Sequence, residues 1–175
     1  MTDRESPAKA AERLFEQYAD ELYRFARYSL GDAAAAEDVV QEVFLAVLGG
    51  WDRYRGRSSE RTWLFAIARH RIAGHLRVAG RLARTQASPA PWADDAANLG
   101  QDARMDLEAS LGLLPLAQRQ VFILRIVADR TVEEAAAQLG RSPVWVRVTL
   151  HRALARLRSE LLAGDTAFPK GDEAR

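Results

Sequence analysis

Two kinds of side chain in this sequence are spaced so that they could do chemistry. Asp38 and Glu42 lie one helical turn apart, the pairing of carboxylates that can hold a metal or move a proton. They lack ligating histidines and the Glu-x-x-His pattern of helical di-metal sites, and His70, His75 and His151 make no i,i+4 pair. With no cysteine, no P-loop, no G-x-S-x-G and no dinucleotide fingerprint, neither a metal nor any other cofactor is expected, and the chain does not read as an enzyme. Asp38, Gln41 and Glu42 with Leu45 at their centre fit better as an acidic docking surface for a basic partner helix. Plain solvation of that face is the competing reading.

The second kind is arginine interleaved with aromatics. Residues 51–84 carry nine arginines against Asp52 and Glu60. Set on a helix, residues 58–84 put Leu64, Phe65, Ala68, Ile72 and Leu76 on one face. Trp63, His70, Arg77, Arg81 and Arg84 fall on the other, stacking groups and guanidinium donors suited to bases and phosphates. The preceding loop adds Tyr54, Arg55 and Arg57 around Gly56, a collar for an unstacked base. An ordinary solvated face with Trp63 in the core is the alternative, and the density of arginine weighs against it.

A third pattern is a helix-turn-helix. Thr131 and Glu134 form a T-x-x-E capping box, Gly140 marks the turn, and Ser142-Pro143 opens the next helix. Val146, Leu150, Ala153 and Leu157 would face the core, leaving Val144, Val148 and His151 outward, with Arg147 on one side and Trp145, Arg152 and Arg156 on the other. Arginines reach guanine edges or phosphates and small apolar groups meet thymine methyls, which is the layout of a major-groove reader.

These residues need helices to position them, and apolar positions recur at helical spacing with no strand-like run. Ser6-Pro7 opens a first helix to about Leu30, stopped by Gly31; Asp32 caps a second, ending at Gly49-Gly50; a third runs from about Glu60 to the Arg81–Arg84 region. Residues 85–102, rich in Pro, Ala and Asp, read as a linker. Beyond it come helices at about 103–113 and 116–128, then those opened by Thr131 and Ser142. The expectation is an all-α chain of two small helical domains, 6–84 and 103–162, with an irregular linker at 85–102 and a tail at 163–175.

The 175-residue chain has 25 Lys and Arg and 24 Asp and Glu, a formal net charge of +1 that taken alone argues against a polyanion binder. By segment the balance breaks apart. Residues 1–50 hold 10 acidic groups against 5 basic ones, whereas residues 141–158 hold five arginines and no acid. Only Lys9 and Lys170 are lysines. No uncharged apolar run approaches the roughly 18 residues that span a bilayer, and the charged N-terminus is unlike an export signal, so no membrane insertion and a cytoplasmic location are expected.

With these residues in view, the chain resembles the extracytoplasmic-function (ECF) sigma factors of bacterial RNA polymerase. Three stretches carry the resemblance: AEDVVQEVFLAVL (36–48), RGRSSERTWLFAIARHRIAGHLR (55–77), and LPLAQRQVFILRIVADRTVEEAAAQLG (114–140) with HRALARLR (151–158) behind it. It implies a region 2-like domain followed by a region 4-like helix-turn-helix domain, conferring promoter recognition and melting for transcription initiation. It assigns Asp38, Gln41, Glu42 and Leu45 to core polymerase docking, and Arg55, Arg57, Ser58, Trp63, His70, Arg71 and Arg77 to the unpaired minus-10 DNA. Arg141, Ser142, Val144, Trp145, Arg147, Val148, His151 and Arg152 would meet the minus-35 duplex. The partners it implies are core RNA polymerase and promoter DNA, with an anti-sigma factor as a candidate third. His70 stands where the family often has Asn and Gly74 where Asp is common, and Val144, Trp145 and Thr149 depart from the usual recognition helix; these bear on the promoter sequence read. Two alternatives are a helix-turn-helix regulator acting without polymerase docking, and a helical carboxylate enzyme built on Asp38 and Glu42.

Overall fold

The structure, a computed structural model, describes residues 5–85 and 101–165, with side chains for 5–81 and 107–160. Its elements are α1 (Pro7–Leu30), α2 (Ala33–Gly50), a 3-10 turn (Trp51–Arg53), α3 (Glu60–Thr85), α4 (Gln101–Gly112), α5 (Leu116–Phe122), a π-helical turn (Ile123–Val127), α6 (Val132–Leu139) and α7 (Pro143–Asp165). Among the described residues there is no strand, as the helical periodicity predicts. The expected linker, 85–102, and the tail fall largely outside the described residues.

Helix ends follow local chemistry. The Ser6 hydroxyl accepts the Lys9 N–H, Pro7 follows it, and Gly31 closes α1 at φ 77°. Asp32 Oδ1 accepts the Ala35 N–H at 2.7 Å to start α2. Ser59, which carries no strong sequence signal in its arginine-rich loop, accepts the Thr62 N–H at 3.2 Å and starts α3. The capping box of α6 is complete: Thr131 Oγ1 accepts the Glu134 N–H at 3.1 Å and Glu134 Oε2 accepts the Thr131 N–H at 2.8 Å.

The first three helices share a core of Leu14, Leu22 and Phe25 from α1, Val39, Val43 and Val47 from α2, and Leu64, Phe65, Ala68 and Ile72 from α3, all buried. Phe25 and Phe65 meet at 5.1 Å between ring centroids, which ties α1 to α3. The later helices bury Leu111, Leu114, Val121, Ile123, Leu124, Ala135, Leu139, Val146 and Ala153.

The spacing after Pro115 predicts one helix over 116–128, and here the structure differs. After Phe122 the coil widens, so that the Ala128 N–H reaches Ile123 O at 2.9 Å and the Arg130 N–H reaches Leu124 O at 2.8 Å. Ile123 and Leu124 stay buried while Ile126 and Val127 turn outward. Asp129 then takes a positive φ of 48°, and Arg130 is carried to α1. No Gly or Pro announces this widening, because it is set by packing between elements.

The two sets of helices close on each other, α6 against α3 and α5 against α1. Arg27, buried in α1, reaches Glu108 of α4 at 3.1 Å. Arg119 Nη1 donates to Ser29 O at 2.7 Å. A β-carbon built on Gly140, in the turn before α7, would lie 3.2 Å from the Arg69 guanidinium of α3.

Candidate nucleic-acid interface

The acidic surface of α2 is open to solvent at Asp38, Gln41 and Leu45, the last 66% exposed. Leu48 and Phe15 are exposed beside the same helices, Phe15 resting edge-on against Phe44 at 5.0 Å. They enlarge the apolar part of the patch beyond what the sequence reading named. Glu42 differs from its neighbours: its Oε1 lies 3.2 Å from His75 Nε2 and its Oε2 lies 3.5 Å from Arg71 Nε, both on α3. The paired carboxylates of the sequence are thus separated in role, one free in solvent and one bonded across to the next helix. Among the described residues no group of three His, Cys, Asp or Glu gathers as a metal site would require.

Between α2 and α3 lies a cleft of about 920 Å³. One wall presents Asp32, Asp38 and Glu42; the other presents His70, Arg71, His75, Arg77 and Arg81. The acidic and basic surfaces therefore meet along a shared edge, a relation that linear spacing does not reveal.

In the loop before α3, Arg55, Arg57 and Ser58 are exposed, and Gly56 supplies the positive φ of 66° that turns the chain. Three aromatic rings brace it. Tyr54 stacks on Trp63 at 4.8 Å and on Trp51 at 5.4 Å, and the Trp51 indole N–H donates to Glu5 O at 3.0 Å. The Tyr54 hydroxyl donates to Ser58 O, which closes the loop, and burial pushes that phenol's pKa up. Trp63, expected on the outward stripe, is half-buried as one leaf of this stack. Its ring is held between the two neighbours, stacked on Tyr54 and tilted against Trp51 at 6.2 Å.

His70 and Arg77 are exposed on α3, Arg77 with its Nε donating back to Ala73 O at 3.1 Å. Arg71 is half-buried against Glu42. Arg84 has no described side chain. Two further arginines of this helix, outside the outward stripe, turn to other elements. Arg61 is bonded to Glu21 of α1, and Arg69 turns toward Gly140, where burial and the nearby charge of Arg141 lower its pKa. The helical spacing already leaves both off the outward stripe, but their partners lie far along the chain, where periodicity does not reach.

In the helix-turn-helix, Val146 and Ala153 are buried and Leu150 and Leu157 half-buried, the face predicted to point inward. Val144, Arg147, Val148, His151 and Arg152 are exposed. Arg141 lays its guanidinium over the half-buried Trp145 ring at 5.2 Å, and Ser142 Oγ accepts the Trp145 N–H at 3.2 Å. Arg147 reaches Glu133 at 3.4 Å. Thr149 is buried, so its place in this helix concerns packing.

Both sets of helices match known families in sequence. Residues 14–82 match the family model for Sigma-70 region 2 and residues 104–157 the model for Sigma-70, region 4. The ECF RNA polymerase sigma factor SigD of Mycobacterium tuberculosis is 37% identical over 158 residues, covering 83% of this chain and 74% of SigD. The chain belongs to the ECF RNA polymerase sigma factors. SigX of Bacillus subtilis, another ECF sigma factor, is 31% identical over 159 residues, covering 85% of this chain and 81% of SigX.

Solved structures superimpose as well. The sigma factor RpoE of Bartonella quintana, in its co-crystal with the anti-sigma factor NepR, aligns with a TM-score of 0.69 at 24% identity, covering 86% of this chain and 95% of RpoE. CnrH, solved with the cytosolic domain of CnrY, aligns with a TM-score of 0.65 at 26% identity, covering 89% and 90% of the two chains. As an ECF sigma factor, the protein gives RNA polymerase its promoter recognition and melting for transcription initiation. Among the described residues no helix is long and apolar enough to cross a membrane.

Proposed function

We propose that this sigma factor divides its work among three surfaces. Asp38, Gln41 and Leu45 of α2, with Glu42 at their edge, dock on core RNA polymerase. The loop with Arg55, Arg57 and Ser58, together with Trp63, His70, Arg71 and Arg77, holds the unpaired minus-10 strand. The outward face of α7, flanked by Arg141 and Ser142, meets the minus-35 duplex through Val144, Trp145, Arg147, Val148, His151 and Arg152. The working units are residues 6–84 and 103–162, joined through 85–102 and followed by a tail from 163.

The observation that carries this division is the rigid aromatic brace of Trp51, Tyr54 and Trp63 under an exposed arginine loop. A flipped base costs a few kcal/mol of stacking, and a preorganised aromatic edge among cations offsets that cost. The protein performs no chemistry of its own on this reading, and it acts in the cytoplasm, where core polymerase is. An anti-sigma factor is the further partner this reading admits.

The test is initiation in vitro. The full chain with core polymerase on fragmented genomic DNA is expected to start transcripts at discrete sites, mapped by sequencing their 5′ ends, and Arg55→Ala with Arg57→Ala is expected to abolish opening while retaining core binding. Gel-shift binding of duplex promoter DNA by the free chain, with no initiation when polymerase is added, would instead favour an ordinary helix-turn-helix regulator.

A further inference from the structure

Val144 and Val148 stand one turn apart on α7, 65% and 43% exposed. A β-branched residue loses rotamer freedom in a helix and here gains no burial in return, so a pair of them on one outward strip is costly unless something covers it. The polar groups beside them are engaged within the protein. Arg141 lies over Trp145, Ser142 caps the Trp145 N–H, Arg147 reaches Glu133, and Thr149 faces inward. The first two turns of α7 therefore present an apolar strip, followed one turn later by the exposed His151 and Arg152.

We propose that Val144 and Val148 read the C5 methyl groups of two thymines in the major groove of the minus-35 duplex. This rests on α7 being the duplex reader. The thymine methyl is the apolar group that a base pair offers on its major-groove edge, and the strip matches it in kind. Residues four apart on a helix are separated by about 6 Å along its axis, and base pairs rise 3.4 Å per step, which places the two thymines within about two steps of each other, on the same or opposite strands. His151 and Arg152, further along, supply the polar contacts that set the register.

The experiment uses the holoenzyme of the full chain with core polymerase. Duplexes randomised upstream of a held minus-10 element are selected by binding, and each thymine of the selected minus-35 element is then replaced by deoxyuridine, which removes the methyl group alone. Two positions within two steps are expected each to weaken binding about fourfold, the effect of one buried methyl. Val144→Ala and Val148→Ala are each expected to erase the penalty at one of them; alanine favours the helix, so the variants fold. No deoxyuridine penalty anywhere, or penalties unchanged in both variants, overturns the proposal. Arg152→Ala separates the two ways of failing. If it weakens minus-35 binding while deoxyuridine has no effect, only the valine reading falls; if it too has no effect, α7 is not the reader and both fall. Valine variants that bind core polymerase less well with deoxyuridine penalties intact would give the strip to a protein partner and likewise overturn it.

Discussion

Glu21 of α1 is held between two arginines from distant parts of the chain: Arg61 of α3 binds one carboxylate oxygen and Arg130, 109 residues away from Glu21, donates to the other at 3.1 Å. One carboxylate thus ties the first three helices to the later ones. The clasp bears on promoter engagement, because elements at minus 10 and minus 35 are roughly 25 base pairs apart, about 85 Å of duplex at 3.4 Å per step. In the closed arrangement α3 and the turn before α7 touch, through Arg69 and Gly140.

The two units are therefore expected to part when both promoter elements are held, and Glu21→Lys is expected to part them without DNA. Loss of this partly buried clasp costs about 2 kcal/mol, a shift of about thirtyfold in the ratio of closed to open forms. With no native cysteine in the chain, dyes on Glu16→Cys and Ser159→Cys report the separation. Equal energy-transfer efficiency in the two proteins would show that Glu21 does not hold them together.

Arg27 and Glu108 give a second, more buried tie. Arg27 is 4% exposed, and its Nε and Nη1 have no hydrogen-bond partner among the described residues. Glu108→Ala strands that charge and is expected to cost about 3–5 kcal/mol in denaturant unfolding, whereas Arg27→Met with Glu108→Leu is expected to be neutral or stabilising. By contrast, Glu133→Ala, which breaks the exposed contact with Arg147, is expected to cost at most about 1 kcal/mol. Equal losses from the two single substitutions would contradict the burial argument.

The docking surface is best tested away from Glu42. Glu42→Arg would face Arg71 and His75 and disturb α2–α3 packing along with any docking. Asp38→Arg with Leu45→Glu changes only exposed side chains and is expected to weaken core polymerase binding by tenfold or more while leaving the melting temperature within a few degrees. Unchanged pull-down of core polymerase by this pair would remove α2 from the interface.

Glu134 sets an acid limit on the helix-turn-helix. The Thr131 N–H and hydroxyl hold its carboxyl below the ordinary value of 4.5. A carboxyl with a lowered folded pKa contributes stability that is present above its unfolded pKa and is lost as pH falls through the folded one. The capping box is therefore expected to weaken below about pH 4.5, and Glu134→Gln, which keeps an acceptor oxygen and loses the charge, to flatten that dependence. Amide exchange at Thr131 between pH 5 and pH 3 measures it; the same acid response in both proteins would rule the mechanism out.

How far local sequence reaches is plain from particular residues. Ser6, Asp32, Thr131 with Glu134, and Gly140 start or stop helices where the spacing predicts, because a cap is satisfied by atoms three or four residues away. The buried faces of α2, α3 and α7 follow from periodicity for the same local reason. The sigma-factor family was legible too, since its three motifs are runs of adjacent residues.

Tertiary structure decided which partners the remaining arginines take. Arg77 is exposed on the stripe the spacing predicts, whereas Arg61 and Arg69, off that stripe, find Glu21 and the turn at Gly140 only in the fold. Trp63 joined a stack with Tyr54 and Trp51, and residues 123–127 widened into a π turn that brings Arg130 to α1. Sequence determined helices, caps and buried stripes because those depend on neighbours within a turn or two. The partners of Glu21 lie 40 and 109 positions away, and only the packing of α3 and of the turn before α6 on α1 brings them together.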